Sequence, residues 1–447
     1  MAQARVLTRN ELGQLARQLR EATFSAELRR GVAAGVLLYG GGVVARVVSE
    51  VVFARTMGPR EFGAYSYVFS WLSILAIAGT LGVAYAFVRF VPEYEVAGNF
   101  DGLRRLVRFA RVSSVAFGAA VALLAGAVLA LARPSGVGLA AVLIGMATVP
   151  VLTLFTTQTE LARSLRRIVL AFLPFFVLRS LFTVGFALAL LVAGTGLSAA
   201  QGLAVGLAAI VVCLILQRER LRAALAAHPQ PTVAAPSGDW QIWLRVALPF
   251  LALNLLATTT MRADVIVVAL VRGAASAGVY AAAAKVALLA IFALEALNTI
   301  VAPTISKLFY AGDLDGVRRV VRNSARVTFA AALCATLVLE IAGSRSLSVF
   351  GSGYGGGMLA LQVLLVGQVI NASTGPVTYL MAATGHQRLA AIAQAVSTCV
   401  FFVAVIPLTR VWGIAGTALA VTLARATINI WMALAAQQKL HVRAFVV

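Results

Sequence analysis

The sequence predicts an all-α integral membrane protein of about twelve transmembrane helices, built as two six-helix bundles that repeat one another in parallel. The first observation behind this is composition. Of 447 residues, 61% are hydrophobic and only 12% charged, and the mean hydropathy is +0.93. Apolar runs of about 20 residues, the length a helix needs to cross a ~30 Å hydrocarbon core, recur along the chain. They are continuous rather than alternating, which excludes a β-barrel pattern. The second observation is internal repetition. Gly58-Pro-Arg-Glu-Phe-Gly63-Ala-Tyr65 and Gly273-Ala-Ala-Ser-Ala-Gly278-Val-Tyr280 share the spacing Gly-x4-Gly-x-Tyr at an offset of 215 residues, and Asp101-Gly-Leu-Arg-Arg-Leu-Val-Arg108 returns as Asp315-Gly-Val-Arg-Arg-Val-Val-Arg322 at an offset of 214. Two motifs at nearly one offset mark a duplicated unit. The third is an uneven distribution of basic residues between the two sides of the membrane.

In chain order, residues 1–30 carry six arginines and a stripe of Leu12, Leu15 and Leu19 with Ala22 and Ala26. That pattern predicts an amphipathic segment lying on the cytoplasmic face, its arginines near anionic membrane lipids. The polar region is too long, and the following apolar run too full, for a signal peptide. The first bundle is expected over 31–217, with spans at roughly 31–54, 62–88, 112–132, 137–157, 168–193 and 197–217. A polar, proline-bearing cytoplasmic linker follows at 218–242, and Trp240 and Trp243 mark the interface beyond it. The second bundle is expected over 243–436, with spans at roughly 243–268, 276–303, 327–344, 358–383, 389–408 and 412–435, and the tail 437–447 is cytoplasmic. Six spans separate the two copies of the motif. Both halves therefore enter the membrane in the same direction, as parallel repeats about an axis along the membrane normal.

Of the 37 Arg and Lys residues, 25 fall in segments that are cytoplasmic if the N-terminus is inside, against six in the opposite loops: Arg55, Arg60, Arg133, Arg272, Arg345 and Arg410. This asymmetry predicts a multi-pass protein of the cytoplasmic membrane with both termini inside. It also accounts for the net charge of +21 without nucleic acid as a partner.

Motifs of soluble enzymes are absent. Gly351-Ser-Gly353-Tyr-Gly-Gly356 has the spacing of a dinucleotide loop, but it follows a membrane helix rather than a strand and reads as an interfacial turn. No Walker lysine motif is present, which argues against ATP hydrolysis by this chain. His228, His386 and His441 map to loops, and Cys213, Cys334 and Cys399 to apolar runs, where they read as small core residues. No catalytic residue, metal site or cofactor is expected.

The informative residues are ionisable groups inside spans, each costing ~3 kcal/mol in hydrocarbon unless it faces a wet cavity or a partner. Gly42, Arg46 and Glu50 share one face of the first span. Asn254, Thr258 and Arg262 form a similar stripe on the seventh, with Thr260 and Asp264 on a neighbouring face. The duplication aligns Arg46 with Arg262 and Glu50 with Asp264 to within one residue. Arg179, Lys285, Glu295, Glu340 and Arg425 complete the set. These charges either pair with one another and pin helices, or line a cavity that receives an anionic headgroup. Among the prolines within spans, Pro150, Pro174, Pro249 and Pro376, Pro249 precedes the polar stripe of the seventh span and is the candidate hinge.

The run Phe53-Ala-Arg55-Thr-Met-Gly58-Pro-Arg-Glu-Phe-Gly63-Ala-Tyr65, then Gly82-Val-Ala-Tyr-Ala-Phe-Val-Arg89-Phe-Val-Pro92-Glu, and the stretch from Asp264 through Gly278-Val-Tyr280 to Pro303-Thr-Ile-Ser306 resemble the polysaccharide biosynthesis flippases. These belong to the multidrug/oligosaccharidyl-lipid/polysaccharide exporter superfamily. Phe350 through Gly385-His-Gln-Arg388 and the closing Gly413-Ile-Ala-Gly416-Thr-Ala resemble its later helices. The resemblance implies a MATE-like pair of bundles that rock between inward-open and outward-open forms. Such a protein carries an oligosaccharide on a polyprenyl phosphate or pyrophosphate from the cytoplasmic to the outer leaflet, alongside a glycan polymerase and glycosyltransferases of the same pathway. It implies Arg46, Arg262 and Lys285 as headgroup contacts, with Arg179, Arg425, Asn254 and Thr258 in the cavity, and Asp264, Glu50 and Glu295 as ion-coupling sites. Many members have fourteen spans, so an extra C-terminal lipid groove is not expected in a chain that reads as twelve. The alternative of the same fold is a proton- or sodium-coupled multidrug or metabolite antiporter, whose cationic cargo calls for an acidic cavity. A membrane glycosyltransferase or ligase lacks the large loop it would need here, and a scaffold leaves the buried charges unexplained.

Overall fold

The computed structural model describes residues 9–194, 196–226, 240–290 and 313–440, with Val301, Thr304, Ile305, 307–309 and Val442, and side chains from Leu38 onward. The molecule is helical throughout the described residues. Its main helices are α1 (Arg9–Gly79), α2 (Val83–Val96), α3 (Phe100–Leu131), α4 (Leu139–Ser164), α5 (Ile168–Val192), α6 (Ala199–Ala226), α7 (Trp240–Leu289), α8 (Leu314–Ala342), α9 (Met358–Ser373), α10 (Val377–Ala383) and α11 (Gln387–Leu440). Nine helical stretches among the described residues are long and apolar enough to cross a membrane.

The difference between nine and the expected twelve lies in α1, α7 and α11. Each is interrupted by one non-helical glycine, Gly58 (φ 71, ψ 174), Gly273 (φ 83, ψ 171) and Gly413 (φ 59, ψ −139). At each, the chain folds back on itself. The rings of Phe53 and Tyr65 lie 5.1 Å apart, where a straight helix would separate those residues by about 18 Å. Tyr280 reaches Asp264 at 3.0 Å across a stretch that would span about 24 Å if straight, and Thr409 and Thr417 hydroxyls meet at 2.7 Å instead of about 12 Å. Each of the three is therefore a hairpin of two antiparallel arms. The expected loops at 55–61 and 269–275 shrink to a single residue, because the backbone angles at Gly58 and Gly273 belong to a region open in practice only to glycine. Pro59, at the start of the returning arm, needs no N–H there.

Other elements also depart from the linear reading. The segment before residue 31 is not a separate surface helix, since α1 runs unbroken from Arg9 into the first span; residues 1–8 lie outside the described set. Likewise α6 continues to Ala226, past the expected end of the apolar run at residue 217; linker residues 227–239 are outside the described set, as are 291–300 of the eighth span and most of the tail. Pro174 sits in a π-helical turn, Leu173–Leu178, within α5. By contrast, α7 passes Pro249 without leaving helical geometry. Cys213 is buried, but Cys334 and Cys399 are exposed on the outside of their helices rather than in the core.

The second repeated motif turns out to be a helix start. Asn99 caps α3 by accepting from Gly102 N at 2.8 Å, and Asp313 caps α8 by accepting from Gly316 N at 2.7 Å. A Cβ at either glycine would collide with its capping side chain, so the pattern preserves a cap.

The first repeated motif is where the halves meet. Gly63 and Gly278 bring the two hairpin tips into backbone contact: a Cβ on Gly63 would strike Ala274 O and lie 2.7 Å from Gly278 N, and one on Gly278 would strike Pro59 O and lie 2.9 Å from Gly63 N. Pro59 and Ala274 occupy equivalent places in the repeat, so the contact is a pseudo-two-fold one. Both first arms reach this same face, here termed the turn face, and the halves are parallel. Two loops clasp the tips. Ser135 O, between α3 and α4, accepts from Ala274 N at 3.2 Å. On the other side, Tyr354, fully buried in the turn Ser352–Gly357, donates to Ala54 O at 2.9 Å, and Arg55 Nε donates to Val349 O at 2.6 Å. The sequence Gly351 to Gly356 is thus a clasp at the turn face.

At the opposite end a second apolar cluster joins the halves along α2 and the start of α7. There Trp243, packed on Phe109 at 5.4 Å, donates its indole N–H to Tyr94 OH at 2.9 Å. Trp243 is therefore a buried inter-half contact rather than an interfacial anchor.

Candidate functional site

Between these two contact zones the first arm of α1 faces the second arm of α7, and most of the deep charges meet there. Lys285 Nζ donates to Glu50 Oε1 at 2.7 Å, an ion pair that joins the two halves. Arg46 Nε lies 3.8 Å from the same oxygen, one helical turn away on Glu50's own arm. The Lys285 and Glu50 side chains are only 19% and 14% exposed, whereas Arg46 is 47% exposed. The second Glu50 oxygen, Oε2, is buried and meets no hydrogen-bond donor among the described residues.

Two further arginines stand against this cluster without a carboxylate of their own among the described ion pairs. The Arg179 guanidinium lies over the Phe175 ring at 5.2 Å, and that of Arg262 over the Phe69 ring at 5.3 Å. Aromatic faces hold a guanidinium by roughly 0.5–2 kcal/mol and leave its N–H donors free to face another acceptor. Phe69 comes from the first half and Arg262 from the second, so this contact crosses between halves as well. Arg46, Arg179 and Arg262 act through space on one another and on Tyr65, and Glu50 feels Lys285, Arg46 and Arg262. Among the described residues the group thus gathers four cations, Arg46, Arg179, Arg262 and Lys285, around Glu50, with Asp264 acting on Arg262 from farther off in the second half, a surplus of positive charge where the two halves face each other.

Below Arg262 on α7, Thr258 and Asn254 continue the same partly exposed face, Asn254 donating to Phe250 O of its own helix at 2.8 Å. Asp264 turns away from the cluster into the second half, accepting from Tyr280 OH at 3.0 Å and from Val265 N at 2.7 Å. Arg425 stands beyond it, donating to Gln368 Oε1 at 2.8 Å. Glu340 is taken up by Gln362, at 2.9 Å. Glu295 lies outside the described residues. On α1, Gly42 packs tightly against Phe176, so this end of the stripe is a helix contact, while Arg46 and Glu50 look into the cluster.

Phe69, Phe175, Tyr65 and Tyr280 were not singled out as site residues from the sequence. The two tyrosines are visible in the sequence only as the last position of the repeated motif. In the structure Tyr280 is fully buried against Asp264, and Tyr65 packs between Phe53 and Phe69 beside the cations. A signal for this exists: Asp264 and Tyr280 stand on opposite sides of Gly273 at similar separations, so a hairpin at that glycine brings them nearly level, within reach of the long tyrosine side chain. The phenylalanines carried no such signal, because one aromatic residue among many in an apolar span is indistinguishable without the fold.

Two parallel helical halves that enclose an internal cluster of charge between them are the fold of a set of solved membrane transporters. Solved structures of that class superpose over nearly the whole chain. An inward-facing multidrug resistance MATE family transporter of the MOP superfamily aligns with TM-score 0.73 at 14% identity, covering 90% of this chain and 94% of that one. A MOP superfamily transporter from Pyrococcus furiosus, described as having a binding pocket of reverse polarity, aligns with TM-score 0.63 at 14% identity over 92% and 95%. The lipid II flippase MurJ, in an inward closed conformation, aligns with TM-score 0.62 at 12% identity over 93% and 87%. No curated protein matches the sequence. Residues 28–309 match the family described as polysaccharide biosynthesis protein, and the chain belongs to that family; its fold is the one these MOP superfamily structures share.

Proposed function

We propose that the protein is a flippase that moves an oligosaccharide linked to a polyprenyl phosphate or pyrophosphate from the cytoplasmic to the outer leaflet, for surface polysaccharide or glycan biosynthesis. The observation that carries the reading is the cationic cluster of Arg46, Arg179, Arg262 and Lys285 between the halves. A phosphate entering hydrocarbon needs replacement hydrogen bonds and countercharge, and guanidinium groups seated on aromatic faces present both. Asn254 and Thr258 extend the polar surface for the sugar, and the polyprenyl tail stays in lipid. A multidrug antiporter for cationic cargo would need the opposite charge balance.

In this reading the protein spans the cytoplasmic membrane with both termini inside, as its basic residues favour. The turn face, closed by Gly63 against Gly278, then looks outward, and the described conformation is outward-closed. Rocking of the halves separates the tips and delivers the cargo. Direction comes from membrane potential, an ion gradient or consumption of the product by a polymerase and glycosyltransferases of the pathway; one charge through ~100 mV is worth ~2.3 kcal/mol. We assign ion coupling to Asp264 in this reading: a neutral hydroxyl and a backbone N–H hold it, whereas Glu50 is held by a cation, which supports Asp264 over Glu50 for that role.

The test is translocation of a fluorescent lipid-linked sugar in proteoliposomes. Arg46→Ala and Arg262→Ala are each expected to lower the rate at least tenfold at equal abundance, while circular dichroism stays unchanged. Unaltered rates in both variants would refute the anionic-headgroup reading.

A further inference from the structure

We propose that Glu50 is a built-in counter-anion, which occupies the cation cluster while the carrier is empty and is displaced by the phosphate of the lipid-linked cargo. The inference rests on the anion-carrier reading above and adds to it a device that makes rocking conditional on cargo.

Three features of Glu50 point this way. Among the described residues it is the carboxylate that forms ion pairs within the group of four cations, and it bonds Lys285 across the boundary between halves, from the first arm of α1 to the second arm of α7. Moving the halves apart must break that bond. A buried ion pair broken with nothing in exchange leaves an uncompensated charge in a low-dielectric site, so the empty carrier resists the motion. The second feature is Oε2, which is buried and without a donor among the described residues. A carboxylate whose only role is to pin two helices would have both oxygens satisfied; this one makes a single strong bond and keeps half its accepting capacity idle. The third is Arg46, 3.8 Å from Glu50 Oε1 on the same arm. It gives Glu50 a second partner that does not cross between halves.

The exchange therefore balances. A phosphate that takes Lys285 replaces the carboxylate, Glu50 falls back on Arg46 within its own helix, and Arg179, Arg262 and Lys285 are left for the cargo. Glu50 and Lys285 each keep a counter-ion throughout the exchange. The first and second halves are then joined through the cargo rather than through Glu50.

A counter-anion competes with the ligand, whereas a structural pair supports the site that binds it, so the two roles predict opposite signs. The experiment is titration of the full chain in phosphatidylcholine nanodiscs with inorganic pyrophosphate, at fixed ionic strength, for the wild type, E50D and E50Q. Removing the competitor is expected to tighten binding about tenfold in E50Q, equivalent to about 1.4 kcal/mol. E50D, which keeps the charge but is one methylene shorter, should fall between E50Q and the wild type and serves if E50Q does not fold. In the wild type, discs doped with a polyprenyl phosphate should weaken pyrophosphate binding by competition. Equal or weaker binding in both variants would overturn the counter-anion role while leaving the anion-carrier reading in place. Failure of every form to bind would overturn both. Absence of competition by the polyprenyl phosphate would refute a lipid-borne source for the displacing anion.

Discussion

Adding one carbon at Gly63 and one at Gly278 tests whether the turn face is held shut by direct backbone contact. In the present packing, a Cβ at Gly63 lies 2.7 Å from both Ala274 C and Gly278 N, and a Cβ at Gly278 lies 2.9 Å from Gly63 N and 3.0 Å from Pro59 C. Non-bonded carbon contacts settle at about 3.5–4.0 Å, so Gly63→Ala together with Gly278→Ala requires the tips to part by about 1 Å. The obstacles are backbone atoms of two helices, which cannot rotate away as a side-chain end would. Overpacking of this kind costs about 1–3 kcal/mol. If the closed form lies within a few kcal/mol of an open one, the double variant shifts the population roughly 5- to 150-fold toward the open form. Spin labels at Arg60→Cys and Ala275→Cys, equivalent exposed positions on the two tips, report the separation once Cys213, Cys334 and Cys399 are replaced. Dipolar broadening between the labels should be strong in the parent and largely lost in the double variant. Unchanged broadening in a folded double variant would show that the tips are ordinary connectors.

Tyr354→Phe removes the hydroxyl that donates to Ala54 O while keeping the ring against Phe62; it should cost about 1 kcal/mol of the closed form and give a partial loss of the same broadening. Asp264→Asn keeps an acceptor for Tyr280 OH but removes the charge; folding should survive, and transport in vesicles should lose its response to imposed proton or sodium gradients, a retained response excluding Asp264 as the coupling group. Pro249→Ala restores a backbone donor in a helix that is already regular, so insertion should be unaffected and transport slower; equal rates at equal abundance would remove Pro249 as a hinge.

Much of this architecture is legible in the sequence because its signals are local or periodic. Apolar length identifies spans, and the repeated motifs identify the duplication. Legibility ends where the physics depends on closure in three dimensions. The spacing Gly-x4-Gly marks a turn, but the sequence shows neither that Gly58 alone makes the reversal nor that Gly63 exists to let another backbone approach. The same limit applies to the site. Arg179 and Arg262 stand out because charge is costly in an apolar run, yet their partners Phe175 and Phe69 are apolar and leave no mark. Trp243 shows the converse error: a tryptophan at the start of an apolar run reads as an interfacial anchor, whereas tertiary packing against Phe109 and Tyr94 buries it.

The two halves keep one backbone device and differ in how charge is wired to it. Gly58 and Gly273 share nearly the same angles, and each half offers a carboxylate before its hairpin and a tyrosine after it. In the second half Asp264 and Tyr280 satisfy each other across the hairpin. In the first half the equivalent pair does not form, because Glu50 is drawn instead to Lys285, whose counterpart in the first half is the neutral Ser70. A single Lys at that position thus converts a contact internal to one half into a contact between halves. Symmetric tips can meet and part as a unit, while the unequal charges place a net positive site at the boundary that the motion opens. Lys285→Ser would put at this position the neutral residue that the first half carries. It is expected to leave Glu50 without its partner across the boundary and weaken the contact between halves, with the Arg60/Ala275 labels reporting a less closed turn face. A turn face as closed as the parent's would refute the idea that the Glu50–Lys285 bond is what couples the site to the tips.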